Sequence, residues 1–301
     1  MHQDTAEAMK GKVVVITGGA SGMGRIAARE LALQGATVVF NDREIEEGHE
    51  VRADIAGLSG NENVEFFPCD MLDRKQVRAF AEHTLNHYPT CDVLINNAGF
   101  TDPKRVVSEE GYEQHMAVMH LNHWLLTMLL LDRMKAGPSA RIIQVSSEAY
   151  KAGPGIDFDD MACDKVWKGK PFANTGAFTA YHRAKLAMVY ATYELAERLQ
   201  DTNVTINCIS PGYFVGTNVF RHTRGFIKFG VKVFRPFFAD PEKSAKTYVY
   251  LAASPEVEGV TGKYWEYCKE KKTAGLSHDK ALRKRLIDWT ENAVAGADLK
   301  L

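Results

Sequence analysis

The sequence has 301 residues, is 45% hydrophobic and 25% charged, and carries a net charge of −1 at pH 7. This is the composition of an ordinary folded protein, and the near-zero charge argues against nucleic-acid binding, which usually needs a basic excess. The five cysteines are scattered without a C-x-x-C pair, so reduced thiols are expected rather than a disulfide frame or a zinc site.

No targeting or membrane-spanning segment is expected. The first residues, MHQDTAEAMKGK, contain acids and amides and lack the apolar core of a secretory signal. The most apolar later run, residues 125–131, is broken by Thr127. It falls far short of the ~20 residues that a membrane-spanning helix needs. We therefore expect a cytoplasmic protein.

The chain begins its regular pattern with a strand that runs into a glycine-rich turn. Residues 13–16 are Val-Val-Val-Ile, a β-branched run typical of a strand buried on both faces of a parallel sheet. The turn that follows is Thr17-Gly18-Gly19-Ala20-Ser21-Gly22-Met23-Gly24, and a helical apolar pattern comes after it. Strand, glycine turn and helix in this order predict a dinucleotide site at the helix N-terminus.

The second predicted strand bears on the choice of nucleotide. Residues 36–40 form a buried strand that ends at Asn41-Asp42-Arg43. An acid at this distance from the glycines binds the adenosine ribose hydroxyls, whereas an arginine accommodates a 2′-phosphate. Asp42 precedes Arg43 and would repel a phosphate, so we expect NAD to be favoured over NADP.

Two further strand ends carry small or polar residues. Residues 64–67 lead into Cys69-Asp70-Met71, where Asp70 either bonds the adenine amino group or N-caps the next helix. Residues 93–95 lead into Asn96-Asn97-Ala98-Gly99, whose small side chains let a cofactor pass closely.

The remaining pattern predicts one domain that spans residues 1–301. In chain order it comprises a long helix over 109–134, a strand over 141–145 that ends at Ser146-Ser147, an insertion over 148–179, a helix from about 181 to 199, a strand over 205–209 that ends at Pro211-Gly212, and a short strand within 260–265. The fold class is α/β, a single Rossmann-like doubly wound parallel sheet with helices on both faces. Ligands of such folds bind beyond the carboxyl ends of the strands.

These motifs together resemble the short-chain dehydrogenase/reductase family over nearly the whole chain. The matching residues are Thr17-Gly18-x-x-x-Gly22-x-Gly24, Asn96-Asn97-Ala98-Gly99, Ser147, Tyr181-x-x-x-Lys185 and Pro211-Gly212. Within the family the chain is most similar to the retinol dehydrogenase branch. That narrower likeness is carried by the insertion, by Gly262-Lys263-Tyr264-Trp265 and by a C-terminal extension over 266–301 with Leu282, Leu286 and Trp289.

The resemblance implies a hydride transfer between a nicotinamide and an alcohol or carbonyl. It makes Tyr181 the general acid/base, Lys185 the cation that lowers the tyrosine pKa and binds the nicotinamide ribose, and Ser147 the donor to the substrate oxygen. Ser146 would point away from the substrate. The implied cofactor contacts are Gly18, Ser21, Gly22, Met23, Gly24, Asp42, Arg43, Asp70, Met71, Asn97, Ala98, Gly99, Tyr181, Lys185, Pro211, Gly212 and Thr217. No metal is implied.

Two positions depart from the family pattern. The family usually has an asparagine on the long helix behind the lysine, and here that position is Met119, which cannot bond as an amide does. Asn122, one turn further on, either substitutes for it or is a helix-face residue without a catalytic role. Thr217 falls one residue later than the usual contact to the nicotinamide amide.

The segment 213–240 would cover the substrate in such a fold. It alternates many aromatic residues with arginines and lysines and has no acid before Asp240. Three interpretations remain open: a lid for a bulky apolar substrate such as a retinoid, steroid or lipid, ordinary packing, or an interfacial patch that takes substrate from a membrane surface. We expect a homo-oligomer, since the family is commonly dimeric or tetrameric. The alternative function is a nucleotide-binding scaffold or redox sensor that has lost turnover.

Overall fold

A central sheet organises the computed structural model, which describes residues 7–168, 173–212 and 240–295. The described strands form one eight-stranded sheet in the order β3-β2-β1-β4-β5-β6-β7-β8. They are β1 (Val13–Thr17), β2 (Thr37–Asp42), β3 (Val64–Pro68), β4 (Val93–Asn96), β5 (Ala140–Val145), β6 (Val204–Ile209), β7 (Tyr264–Glu266) and β8 (Lys269–Lys271). All neighbouring strands are parallel except β7 and β8, which pair antiparallel.

Helices cover both faces of this sheet. They are α1 (Gly22–Leu33), α2 (Ile45–Ser59), α3 (Arg74–His87), α4 (Gln114–Met116), α5 (Asn122–Lys135), α6 (Asp164–Lys168), α7 (Ala173–Arg198), α8 (Pro241–Ala253) and α9 (Lys280–Ala295). In β1, Val13 and Val15 pack with α3, α5 and α7, whereas Val14 and Ile16 pack with α1, α2 and α8. Successive strand residues point to opposite faces, so the continuous apolar run was a correct sign of a strand buried on both sides. The predicted fold class is confirmed.

Three helices, α2, α8 and the five-residue α6 within the insertion, were missing from the sequence prediction. The start of α8 carried a readable signal, because Asp240 caps it by accepting from the backbone N–H of Glu242 at 3.0 Å and proline follows at the first helical position. Helix α2 has a weaker pattern, with two acids in its first turn and an apolar face buried at Val51 and Ile55.

Several predicted boundaries were wrong. The long helix begins at Gln114 rather than 109, and a π-helical segment, Ala117–Leu121, separates α4 from α5. Helix α7 begins at Ala173, so the insertion ends earlier than predicted. The strand expected within 260–265 is Tyr264–Glu266, and the antiparallel β8 was not expected. The predicted cover over 213–240 lies outside the described residues up to Asp240, and Thr217 lies outside them as well.

None of the helices in the described ranges is long and apolar enough to span a membrane.

Candidate active site

The carboxyl ends of the parallel strands surround one cleft, as expected for this fold. The predicted site residues on its wall are Gly18, Ser21, Gly22, Met23, Asp42, Arg43, Asp70, Met71, Asn97, Ala98, Gly99, Tyr181, Lys185 and Pro211. The structure thus brings residues from six separated segments of the chain to one place. Gly24 and Gly212 follow the wall residues Met23 and Pro211 in the chain.

The glycine turn depends on close backbone packing. Gly18 has a φ of +67°, which L side chains rarely adopt. A Cβ on Gly24 would lie 2.5 Å from Asn97 Nδ2 and would overlap the carbonyl oxygen of Gly18. The N-terminus of α1 can therefore reach the turn only because position 24 has no side chain. A Cβ on Gly212 would likewise overlap the hydroxyl of Tyr267.

Thr17 joins the ends of β1 and β4, a role that the sequence prediction did not assign. Its hydroxyl oxygen accepts the backbone N–H groups of Asn97 at 2.8 Å and Ala98 at 2.9 Å. The Asn97 amide in turn donates to the carbonyls of Thr17 and Gly18 and accepts from the hydroxyl of Tyr248 at 3.1 Å. Thr17 was visible in the motif, whereas nothing in the sequence pointed to Tyr248 on α8.

Asp42 lies half-buried at the end of β2. Its carboxylate accepts the backbone N–H of Arg43 at 2.8 Å, and backbone hydrogen bonds from Arg43, Glu44 and Ala20 of the glycine turn lower its pKa. Burial has the larger influence and raises the pKa of Asp42. Arg43 is exposed, with its Nε 3.5 Å from Glu44 Oε1. Asp42 is thus held by backbone hydrogen bonds at a position where it lines the cleft.

Of the two uses considered for Asp70, the helix cap was wrong. Asp73 caps α3, because its carboxylate accepts the backbone N–H groups of Lys75 and Gln76. Asp70 instead accepts the backbone N–H of Leu72 at 2.8 Å while lining the cleft.

Lys185 is 3% exposed and lies deep in the cleft wall. Its Nζ is 5.5 Å from the centre of the Tyr181 ring, as expected for residues four apart on a helix. Nζ donates to the carbonyl of Val145 at 2.6 Å and lies 3.7 Å from the sulfur of Met188. Burial with few polar neighbours lowers the pKa of Lys185 to about 8.

Tyr181 meets the serine that the sequence analysis selected. Burial raises the pKa of the Tyr181 phenol, and a hydrogen bond with Ser147 lowers it in partial opposition. The lowering expected from Lys185 is not seen in this structure. Ser146 lines the cleft with Tyr181 and Lys185, and Ser147 is not among the residues of its wall. The Ser146 hydroxyl donates to the backbone carbonyl of Lys185 at 2.8 Å and so fastens β5 to α7. The Ser147 hydroxyl accepts the backbone N–H of Ala149 at 3.2 Å.

Met119, which stands where the family usually has an asparagine, helps to form this site. Met119 is fully buried in the π-helical segment, and a Cβ on Gly99 would lie 3.2 Å from its sulfur and 3.4 Å from Lys185 Nζ. Asn122 does not occupy that space, since its amide donates to the carbonyl of Met71 at 2.8 Å. Among the described residues Asn122 therefore supports the cleft-lining loop after β3 and has no contact with Lys185.

These features fit a dinucleotide. A Cβ on Gly18 or Gly24 would fill the space within the glycine turn. The first turn of α1 offers backbone N–H groups, and the small residues after β4 leave room beside Lys185. The residues that would hold the nucleotide are those of the cleft wall given above.

Comparison with known proteins agrees with this geometry. The profile of the short chain dehydrogenase family matches residues 12–155. Human retinol dehydrogenase 14 is 38% identical over 301 residues, which cover 94% of this chain and 86% of that protein. A Mycobacterium paratuberculosis protein of known crystal structure superposes with a TM-score of 0.73 at 27% identity, covering 95% of this chain and 94% of that one.

A more distant structural neighbour shares the fold alone. It is a Shigella flexneri protein described as a short chain dehydrogenase complexed with NADP, with a TM-score of 0.66 at 21% identity. The comparison covers 88% of this chain and all of the other.

Proposed function

Because this chain belongs to the short-chain dehydrogenase family and is an oxidoreductase acting on CH–OH groups with NAD or NADP, we propose that Tyr181, Lys185 and Ser147 carry out its chemistry on a lipophilic alcohol or carbonyl compound. One observation carries this proposal. Tyr181 and Lys185 lie together on the wall of the cleft that begins at the glycine turn, with the Lys185 ammonium 5.5 Å from the centre of the Tyr181 ring.

In alcohol oxidation the Tyr181 phenolate accepts the hydroxyl proton of the substrate, and in carbonyl reduction the phenol returns it. The bound nicotinamide supplies the hydride acceptor or donor. The Ser147 hydroxyl donates to the substrate oxygen and stabilises the charge that develops there. The Lys185 ammonium, fixed against the Val145 carbonyl, is proposed to bind the nicotinamide ribose and to oppose the burial that raises the Tyr181 pKa.

The lipophilic substrate class is supported by two features. The human relative described above is named a retinol dehydrogenase, and the segment 213–240 is rich in aromatic residues. A retinoid, steroid or lipid-like alcohol is therefore the substrate class that we propose. We propose that the same segment covers the substrate and makes a peripheral contact with a membrane surface. The rest of the protein would lie in the cytoplasm, and the protein would form a dimer or tetramer.

For the nucleotide we propose a preference for NAD. The Asp42 carboxylate lies in the cleft wall at the end of β2, where it would bond ribose hydroxyls and repel a 2′-phosphate. The neighbouring Arg43 guanidinium is paired with Glu44. The NADP seen with the Shigella protein does not oppose this, because that likeness extends to the fold alone.

A substrate scan tests the proposal. Purified protein is incubated with retinoid, steroid and long-chain alcohols and with the matching carbonyl compounds, each with both nucleotides, while absorbance of the reduced nicotinamide is followed. We expect turnover of at least one lipophilic substrate, faster with NAD or NADH. Nucleotide binding without turnover of any substrate would instead support the scaffold or sensor function.

A further inference from the structure

A carboxylate and an imidazole lie wholly buried beside Tyr181. Glu113 and His115 are both 0% exposed. The His115 ring stands perpendicular to the Tyr181 ring, with 6.4 Å between centroids and 88° between planes, within the range of a favourable edge-to-face contact. Burying an ionisable group costs free energy unless the group is hydrogen-bonded. The hydrogen bonds of this pair therefore indicate its structural role.

Both nitrogens of the His115 ring are engaged. Nδ1 lies 2.7 Å from Glu113 Oε1, and the other carboxylate oxygen accepts the backbone N–H of His115 at 2.9 Å. The backbone N–H of Asp102 donates to Nε2 at 3.4 Å. A ring nitrogen that accepts an N–H carries no proton, so the proton sits on Nδ1 and is donated to Glu113. The geometry selects one neutral tautomer.

This imidazole joins three parts of the active site. Asp102 belongs to the segment that follows Gly99 and Phe100, both of which line the cleft. The Phe100 ring lies 5.1 Å from the His115 ring. His115 itself belongs to α4, directly before the π-helical segment that places Met119 beside Lys185. One side chain therefore links the loop after β4, the helix behind the lysine and the face of Tyr181.

We propose that His115 is a positioning residue for Tyr181, which in its neutral tautomer fastens the segment after β4 against the helix facing the catalytic tyrosine. The inference rests on the role proposed above for Tyr181.

Other titratable groups lie around the pair. Tyr181 faces it from α7, and burial raises the pKa of its phenol. From the insertion, Cys163 is close enough for the Glu113 charge to raise its pKa, which burial brings to about 11, and its sulfur accepts from Arg183. The Asp102 carboxylate is turned to the backbone N–H of Lys104 at 2.8 Å.

The test compares wild type with His115→Gln and His115→Leu. Glutamine can donate to Glu113 and accept from Asp102, whereas leucine can do neither. We expect kcat to fall about tenfold or more in His115→Leu, because a small misplacement of reacting groups has effects of this order. KM and nucleotide affinity should change little. His115→Gln should keep kcat within about threefold.

A leucine variant with wild-type kcat, or a glutamine variant that loses as much kcat as the leucine variant, would overturn the proposal. If His115→Leu does not fold, hydrogen exchange of residues 100–104 in His115→Gln still decides, because wild-type protection is expected there and its loss would overturn the proposal. The control is His49→Leu, an exposed histidine on α2 that packs against Phe66, for which wild-type kcat is expected.

A second readout is independent of turnover. Hydrogen exchange of a peptide covering residues 100–104 should be slow in wild type and in His115→Gln at neutral pH and faster in His115→Leu. Equal protection in all three proteins would contradict the proposal. Absence of wild-type turnover would count against the proposed function alone.

Discussion

The two ends of the cleft are held together in different ways. At the nucleotide end, the glycine turn is fixed by backbone groups, by missing side chains and by the short side chains of Thr17 and Asn97. At the Tyr181 end, the ring and the ammonium are placed by buried side chains from distant parts of the chain, among them Met119 and His115. The glycine turn therefore tolerates little increase in side-chain volume. The position of Tyr181 and Lys185 depends instead on the chemical nature of the side chains that contact them.

The difference also separates binding from turnover. Changes in the glycine turn should affect nucleotide binding first, because no side chain there reaches the reacting oxygen. Changes around Tyr181 should affect kcat while nucleotide affinity persists. Each prediction below tests one side of that division, beginning with the largest effect.

Gly24→Val should abolish nucleotide binding. The first side-chain atom would lie 2.5 Å from Asn97 Nδ2 and overlap the Gly18 carbonyl, so the turn and the helix N-terminus must separate. We expect affinity to fall at least a hundredfold, equivalent to about 2.7 kcal/mol or more, in a titration of nucleotide fluorescence. Gly57→Ala is the control, since a Cβ at this position of α2 meets nothing within 4 Å. A Gly24→Val protein with near-normal affinity would contradict the close-packing account.

Asp42→Ala should change nucleotide choice without removing binding. Loss of the carboxylate removes the repulsion of a 2′-phosphate and the acceptor for ribose hydroxyls. We expect the ratio of kcat/KM for NAD to that for NADP to fall about tenfold, which corresponds to about 1.4 kcal/mol. Arg25→Ala, which removes a cation paired with Asp54 on the surface, serves as a charge-changing control. An unaltered ratio in Asp42→Ala would remove this residue from the recognition of the ribose.

Asn122→Ala should weaken the fold and spare the chemistry. Its amide bonds the Met71 carbonyl rather than Lys185, so the loss of a buried partner should cost about 1–3 kcal/mol of unfolding free energy. We expect kcat to stay within about twofold of wild type, since no atom at the reacting centre moves. Asn203→Ala is the matched control, because that amide also donates to backbone carbonyls, those of Met134 and Gly137. A selective loss of kcat in Asn122→Ala would restore the catalytic interpretation.

The fold was predictable where a local pattern decides it. The continuous apolar runs at 13–16 and 93–95 form strands, because burial on both faces favours such a segment. Helix α2 was missed since its apolar face is narrow and charged residues dominate its first turns. The start of α4 was misplaced because its cap, Glu113, bonds within a buried pair that cannot be seen from local sequence.

The site was predictable as a set of positions but not as a set of contacts. The strand ends of the parallel sheet bring the glycine turn and the segments after β2, β3 and β4 to one cleft, where α7 adds Tyr181 and Lys185. The π-helical segment, however, alters the phase of the helix between His115 and Asn122, so regular spacing could not tell which side chain faces Lys185. The pKa of Tyr181 was expected to fall through Lys185, and in this structure burial raises it.

The most direct test of the central claim compares wild type with Tyr181→Phe in one experiment that measures both turnover and nucleotide affinity. The substitution removes the phenolic oxygen and keeps the ring against His115 and Lys185. We predict that kcat falls by about 10²–10⁴-fold, the usual contribution of general acid–base catalysis, while the nucleotide Kd stays within about twofold. Turnover at the wild-type rate in Tyr181→Phe would contradict the assignment of Tyr181 as the proton-transferring group.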